Sequence, residues 1–367
     1  MCKTGFLNQG DFPMPMGSEQ KDRIFAKENA RTIPAEWYHD TGIYRRECEN
    51  LFHHDWMLFC HEALLSTPGE YVAYTLAGRP VMVLRGKDGE LKGFHNLCRH
   101  RASMVLKEGQ GKTGVLRCMY HGWVYDSDGK LCKAPGFGGD EAALCERTSL
   151  FPVHVCSFAG LVFISMAENP PDFEGNIGAL PQALEQEDLS AFKFHSMASH
   201  RLKCNWKTYI ENYMEGYHIP VLHPELNRDI DFESYKVVTE NRIARHETAL
   251  RADRAEDAAN TGLWVWLWPH VALNIYKDGM NLEIVNPVGP EETELRYCYL
   301  FRDVSPEKEE ENRKVIDLSF TVTQQDIEIC EIVQKNLSAG VYDTGELSPR
   351  HENGVVHFHD MVRAVHA

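Results

Sequence analysis

Cys98-Arg99-His100 is followed by seventeen residues and then by Cys118-Met119-Tyr120-His121, a C-x-H-x17-C-x2-H spacing. Two thiolates and two imidazoles can hold one tetrahedral zinc, or a two-iron cluster with Cys on one iron and His on the other. Zinc sites tend to pair like with like, as in C-x2-C and H-x3-H. Here each loop supplies one Cys and one His. Two such loops facing each other put the sulfurs on one metal and the nitrogens on the next, which favours the cluster.

A second set of donors follows. Residues 205–218 read as one amphipathic helix, with Trp206, Ile210, Tyr213 and Tyr217 on one stripe and Glu211, Glu215 and His218 on another. Pro220 is expected to end that helix and to push Ile219 out of the α region. His223 comes five residues after His218, and in an unbroken helix the two rings would diverge by about 140°. A break at Pro220 lets both face one ion. Two histidines and one carboxylate form the facial site of mononuclear iron(II) oxygenases, which leaves positions open for dioxygen and water. The late helical stretch 322–337 offers Asp326, Glu328 and Glu331. Asp326 shares a stripe with Ile329, Cys330, Val333 and Leu337, whereas the two glutamates project elsewhere. A carboxylate on a buried face needs a partner. A metal is such a partner, so Asp326 is the expected third ligand; a buried salt bridge is the plainer alternative.

The first constellation resembles the Rieske [2Fe-2S] family. The run Cys118-x-Tyr120-His121-Gly122-Trp123 carries the likeness, over about 55–165, with Met119 where proline is frequent. The resemblance implies Cys98 and Cys118 on one iron, His100 and His121 on the other. The second half is similar to the catalytic domain of Rieske non-heme iron oxygenases. It has the Asn205-Trp206-Lys207 start, then an acid, Glu215, three residues before the first iron histidine His218, then His223. In that family the acid links the cluster of one subunit to the iron of its neighbour in a homotrimer. It is usually Asp; glutamate here is similar to the carnitine and glycine-betaine oxygenases, as is the chain length. The resemblance implies an α+β fold: an all-β Rieske module, then a catalytic domain with a curved antiparallel sheet and a long helix (helix-grip type). It implies a [2Fe-2S] cluster, a mononuclear iron(II) and O2 as co-substrate. The implied reaction is hydroxylation of a small organic molecule, foremost a quaternary ammonium compound such as carnitine, choline or a betaine. Hydroxylation beside nitrogen would give a carbinolamine that collapses to amine and aldehyde. Aromatic ring hydroxylation is the second reading and a bare electron carrier the third. The carrier leaves some 200 residues and the His218/His223/Asp326 set without a purpose.

The elements that must position these residues show in the pattern. Helical periodicity surrounds Ile43, Glu47 and Leu51. Short strands with Gly turns follow at 71–76, 81–84, 91–94, 114–118, 123–126 and 160–165, the mark of a compact all-β module. Asn169-Pro170-Pro171-Asp172 breaks the pattern. The expected division is an N-terminal segment 1–54 packing on the catalytic domain, a Rieske domain 55–168 and a catalytic domain 169–367. In the last, 264–276 and 294–301 read as strands and 306–337 as a long helix.

Composition narrows the partners. The chain has 367 residues with 43% hydrophobic and 10% aromatic content, enough apolar area for two cores and against disorder. The most apolar short run, 161–167, is far below the roughly 20 residues that span a bilayer. A formal charge of -16 disfavours nucleic acid. Eleven scattered cysteines and a start without a signal pattern point to a reducing cytoplasm, with 1–20 as a loose leader.

Electrons must come from outside. Gly109-Gln110-Gly111-Lys112-Thr113-Gly114 is the one G-x-G-x-x-G, and it reads as a turn-rich loop between the cluster ligands, not a dinucleotide fingerprint. A separate flavin and iron–sulfur reductase fed by NAD(P)H is therefore implied. Trp264, Trp266 and Trp268 alternate on a strand, with Tyr276 nearby, and could wall a trimethylammonium group through cation–π attraction. Core packing is the plainer reading of that face. His357-Phe358-His359 reads as a surface tail, and His53, His54 and His61 as structural.

Overall fold

The computed structural model describes residues 30–250 and 262–367. The leader read at 1–20 lies outside them. Residues 30–54 enter through a short helix α1 (Thr41–Glu47), capped by Asp40 and continued by a π turn, Cys48–Phe52. The chain then builds strands β1 (Met57–His61), β2 (Glu70–Leu76), β3 (Arg79–Arg85), β4 (Leu91–His95) and β5 (Gly109–Lys112). Three short strands follow, β6 (Leu116–Arg117), β7 (Val124–Tyr125) and β8 (Leu131–Lys133), and then β9 (Pro152–Phe158) and β10 (Leu161–Ser165). Seven of these form one antiparallel sheet in the order β1-β10-β9-β4-β3-β2-β5, and β6-β7-β8 form a small second sheet; the Cys98 loop lies between β4 and β5, the Cys118 loop between β6 and β7. The G-x-G-x-x-G run is not a loop throughout: Gly109–Lys112 is the edge strand β5, paired with β2. Glycine serves there because a Cβ on Gly111 would meet the Tyr71 ring at 2.9 Å or less.

The catalytic half is a second seven-stranded antiparallel sheet. Its strands are β11 (Lys193–Leu202), β12 (Ile230–Glu240), β13 (Ile243–Leu250), β14 (Gly262–Leu267), β15 (Val271–Tyr276), β16 (Gly279–Gly289) and β17 (Glu292–Phe301). Their order is β11-β17-β16-β15-β14-β13-β12. The sheet curves around helix α2 (Trp206–Tyr213) and the long helix α3 (Glu309–Leu337); helix α4 (Asn353–His366) closes one side. Glu309, Glu310 and Glu311 in the first turn of α3 oppose its positive end. The stretch 264–276 is two strands, not one, because Trp268-Pro269-His270 turns the chain between β14 and β15.

One apolar core runs through both halves, joining Phe59, Tyr74 and Phe163 to Trp206, Leu282 and Phe358. The back of the catalytic sheet meets the first sheet there. Arg296 lies 3.7 Å over the Tyr74 ring, and the Asn286 carboxamide bonds Ala77 N at 3.0 Å and Thr75 O at 2.9 Å. A separate cluster, including Leu116, Tyr125 and Leu144, packs behind Cys98 and Cys118.

Candidate active site

The two cluster loops share one backbone design. Cys98 N–H donates to the Ser103 carbonyl, and Cys118 N–H donates to that of Trp123, both at 2.8 Å. Four residues after each cysteine, Ala102 and Gly122 adopt positive φ and donate back to the cysteine carbonyl. Both sulfurs are buried, and both imidazoles are exposed, with ring centroids 4.6 Å apart. His100 stacks on Trp123 at 4.9 Å. The Tyr125 hydroxyl lies 3.1 Å from Cys98 Sγ and accepts from Arg99 N–H, so it can donate to the sulfur once that is ionised. Burial raises the Cys98 thiol above its ordinary value although Tyr125 lowers it. A positive centre is what would keep such a sulfur ionised. The donors divide into a thiol pair and an imidazole pair. Among the described residues, only the second constellation gathers three donor atoms within 4.8 Å of one another, as a single ion requires. This donor set fits a two-metal cluster.

That second constellation is His218, His223 and Asp326. His223 Nε2 lies 3.0 Å and His218 Nε2 3.8 Å from Asp326 Oδ1. Each imidazole is oriented from behind: Gln325 Oε1 is 2.7 Å from His223 Nδ1, and Glu215 Oε1 is 2.5 Å from His218 Nδ1. Partners on Nδ1 fix the tautomer and leave Nε2 for a metal. Asn212 Nδ2 donates to Asp326 Oδ1 at 2.8 Å. The three donors and their supports fit a facial iron site.

The local path differs from the sequence expectation. Helix α2 stops at Tyr213, not at Pro220. Glu215 turns back to accept from the Tyr217 and His218 N–H groups, and Gly216 packs so close that a Cβ would meet Tyr235 at 2.3 Å. Pro220 is the second residue of a single helical turn, Ile219–Leu222, where a missing N–H costs no intrahelical hydrogen bond. The break falls earlier than expected, with the same result: the rings meet at 5.0 Å and 83°.

A cavity of about 330 Å³ opens from the triad. Trp264 and Tyr276 line it. Trp266 and Trp268 do not: they pack edge-on or tilted against Phe358 of α4, at 5.7 and 5.9 Å, which corrects the picture of three indoles in one wall. Trp264 and Trp266 do alternate on β14, but Trp268 lies in the turn beyond it, and Phe358 of α4 packs against Trp266 and Trp268. His357–His359 is likewise no surface tail. It lies within α4, where Phe358 and His359 are fully buried and His359 Nε2 is 2.9 Å from Glu211 Oε1. Tyr125, Gln325, Asn212 and Tyr209 escaped the sequence reading. Gln325 alone had a signal, its place beside Asp326.

Family models match both halves: the Rieske [2Fe-2S] domain over 55–144, and the ring hydroxylating alpha subunit (catalytic domain) over 189–367. The carnitine monooxygenase oxygenase subunit of Escherichia coli (strain K12) is 30% identical over 358 residues, covering 92% of this chain and 94% of that one. The chain belongs to the Rieske non-heme iron oxygenases. Choline monooxygenase, chloroplastic, of Spinacia oleracea is 28% identical, covering 90% of this chain and 77% of that one. The structure of the quaternary ammonium Rieske monooxygenase CntA with L-carnitine superposes with a TM-score of 0.83 at 26% identity, covering 93% of this chain and 97% of that one. Naphthalene 1,2-dioxygenase, at 18% identity and a TM-score of 0.72, shares the fold. As a Rieske oxygenase the protein is an enzyme that works with a [2Fe-2S] cluster, a mononuclear iron and O2. No described helix is long and apolar enough to cross a membrane.

In this Rieske oxygenase Glu215 has side-chain exposure of only 11%, at a surface bearing the exposed Tyr217 and Val221. Glu215→Gln retains the shape and removes the charge. Product formation is expected to fall roughly 10–100-fold, the usual loss for a partner of a metal ligand, while cluster absorption and iron content persist. Coupled turnover alongside iron analysis tests it; full turnover would deny the carboxylate a role.

Proposed function

We propose that the protein is the oxygenase component of a system that hydroxylates a small quaternary ammonium compound with electrons from a separate flavin and iron–sulfur reductase. The observation that carries this reading is the cavity. Its lining includes Trp264 and Tyr276 together with His218, His223 and Asp326, and aromatic rings attract a trimethylammonium group. Relatives named carnitine, choline and glycine betaine monooxygenases support the same class.

In this reading Cys98, Cys118, His100 and His121 would hold the cluster, and His218, His223 and Asp326 the mononuclear iron. Bound there, the iron would supply dioxygen activation. The balance is substrate C–H plus O2, two electrons and two protons giving C–OH and water. The chain's own residues do the rest. The aromatic wall orients the substrate carbon, and Glu215 joins the triad to the surface. The exposed His100 and His121 edge would deliver electrons to Glu215 of a neighbouring copy in a homotrimer. The proposed division keeps 55–168 as the Rieske domain, 169–367 as the catalytic domain and the preceding segment packed on it. No disulfide joins the described cysteines, in keeping with a cytoplasmic place.

The test is reductase-coupled oxygen uptake across trimethylammonium compounds and aromatic acids, with product measured alongside. At least one trimethylammonium compound is expected to yield product matching the oxygen consumed. Coupled turnover with aromatic acids alone would overturn the reading.

A further inference from the structure

The sheet face lining the cavity carries a buried acid that the iron site does not use. Glu283 on β16 is 4% exposed and lies opposite Tyr297 in the sheet register. The Tyr209 hydroxyl donates to it; Tyr297 and Asn274 flank it. Tyr297 is held in turn by Tyr209 at 3.2 Å and by Thr323 Oγ1 at 2.9 Å. Among the described residues no lysine or arginine pairs with Glu283. Of the basic groups in the cavity wall, Lys314 is largely exposed and bound to Glu310 at 2.8 Å. His246 is neutral at ordinary pH, because burial and then His218 push it down to about 3. A buried carboxyl with only neutral partners either keeps its proton or awaits a cation.

We propose that Glu283 is the counter-ion for a cationic head on the substrate, and so the residue that selects substrate by charge. The assignment deepens the quaternary ammonium reading and rests on it for the identity of the head, though not for its charge. Glu283, Trp264 and Tyr276 line the same cavity, so aromatic faces and a carboxylate act on one guest. The groups facing Glu283 are Tyr209 and Tyr213 on α2, Tyr276 on β15, Tyr297 and Tyr299 on β17, and Asp326 on α3. None is basic. Burial raises Glu283 to about 7, with the Tyr209 and Tyr297 hydroxyls opposing and Asp326 adding. A cation binds the ionised form, so its binding must expel a proton near neutrality and weaken as pH falls.

Calorimetric titration of the holoenzyme with choline, ethanolamine and 3,3-dimethylbutan-1-ol, the neutral isostere of choline, tests this. The wild type is expected to bind choline at least about tenfold more tightly than the alcohol, and to lose about tenfold in affinity per pH unit below 7 as a carboxylate titrates. Glu283→Gln should abolish the pH dependence and cut the preference to the remainder that the aromatic faces supply, with little change in the alcohol's affinity. Proton release by the wild type, read from buffers of different ionisation enthalpy, gives a second measure that needs no variant. Equal weakening of all three ligands in the variant, or no preference for cations in the wild type, overturns the assignment. If ethanolamine outbinds choline and Glu283→Gln removes that advantage, the counter-ion stands and the quaternary ammonium reading falls.

Discussion

Replacing His223 by alanine is expected to abolish product formation while the cluster's visible absorption stays intact. His223 is 2% exposed, and its ring is fixed at both nitrogens, by Gln325 at 2.7 Å and Asp326 at 3.0 Å. Its removal takes away one of three donors and leaves the Asp326 carboxylate with Asn212 as its close hydrogen-bond donor. Even the outer partners of a metal ligand are worth roughly 10–100-fold, so losing a ligand should cut turnover below about a hundredth. The cluster loops lie against a different apolar cluster, around Leu116 and Tyr125, and share no hydrogen bond with His223. Iron content should therefore fall by about one atom per chain. Asp326→Ala should behave alike. Bleaching of the visible bands in either variant would assign the residue to the cluster instead. Retained turnover would mean that the iron is held elsewhere.

The candidate ligands were legible because thiols, imidazoles and carboxylates are chemically distinct and their spacing is local. Asp326 is far from His218 in the chain, yet its stripe on α3 revealed it: Thr323, Asp326, Cys330, Gln334 and Leu337 are the buried positions. What stayed hidden depends on tertiary closure. Trp264 and Trp266 have the same alternation, and only the position of α4 decides which one meets the cavity. Glu283 sits between Leu282 and Ile284 in a strand buried on both faces, so no pattern of exposure marks it. The helix end at Tyr213 was missed because the turn is made by Glu215 capping backbone N–H groups and by Gly216 meeting Tyr235. Proline, the louder signal, stands near the start of a turn there instead. The module of short strands was recognised from its turns, whereas β1, β9 and β11 lack a clear period and were passed over.

The largest stability effect belongs to a pair that joins α1 to α2. Lys207 Nζ lies 2.7 Å from Glu47 Oε1, and Trp206 Nε1 donates to Glu47 Oε2 at 2.8 Å. Neither charged side chain is more than 1% exposed. Burial alone would raise the Glu47 carboxyl, but Lys207, His366 and Trp206 hold it below its ordinary value. Glu47→Ala leaves an ammonium buried without its counter-charge, and such a break costs about 3–5 kcal/mol. Glu47→Met with Lys207→Met removes both charges and keeps the volume, so the double variant should recover most of that loss. The sign with pH follows from the lowered carboxyl. The unfolded chain takes up the Glu47 proton first, so the pair's contribution is full above about pH 4.5 and is lost as pH falls through the native value. Denaturant titrations of the three proteins at neutral pH and at pH 4 test both parts. The gap between wild type and Glu47→Ala should narrow in acid, while the double variant should change less over the same range. The consequence reaches the iron site. Helix α2 begins beside this pair and carries Asn212, the donor to Asp326, near its far end. A single-site variant that melts early should therefore also hold its mononuclear iron more weakly, and the double variant should hold it as the wild type does. If Glu47→Ala matches the wild type in both stability and iron content, the pair neither anchors α2 nor supports the site.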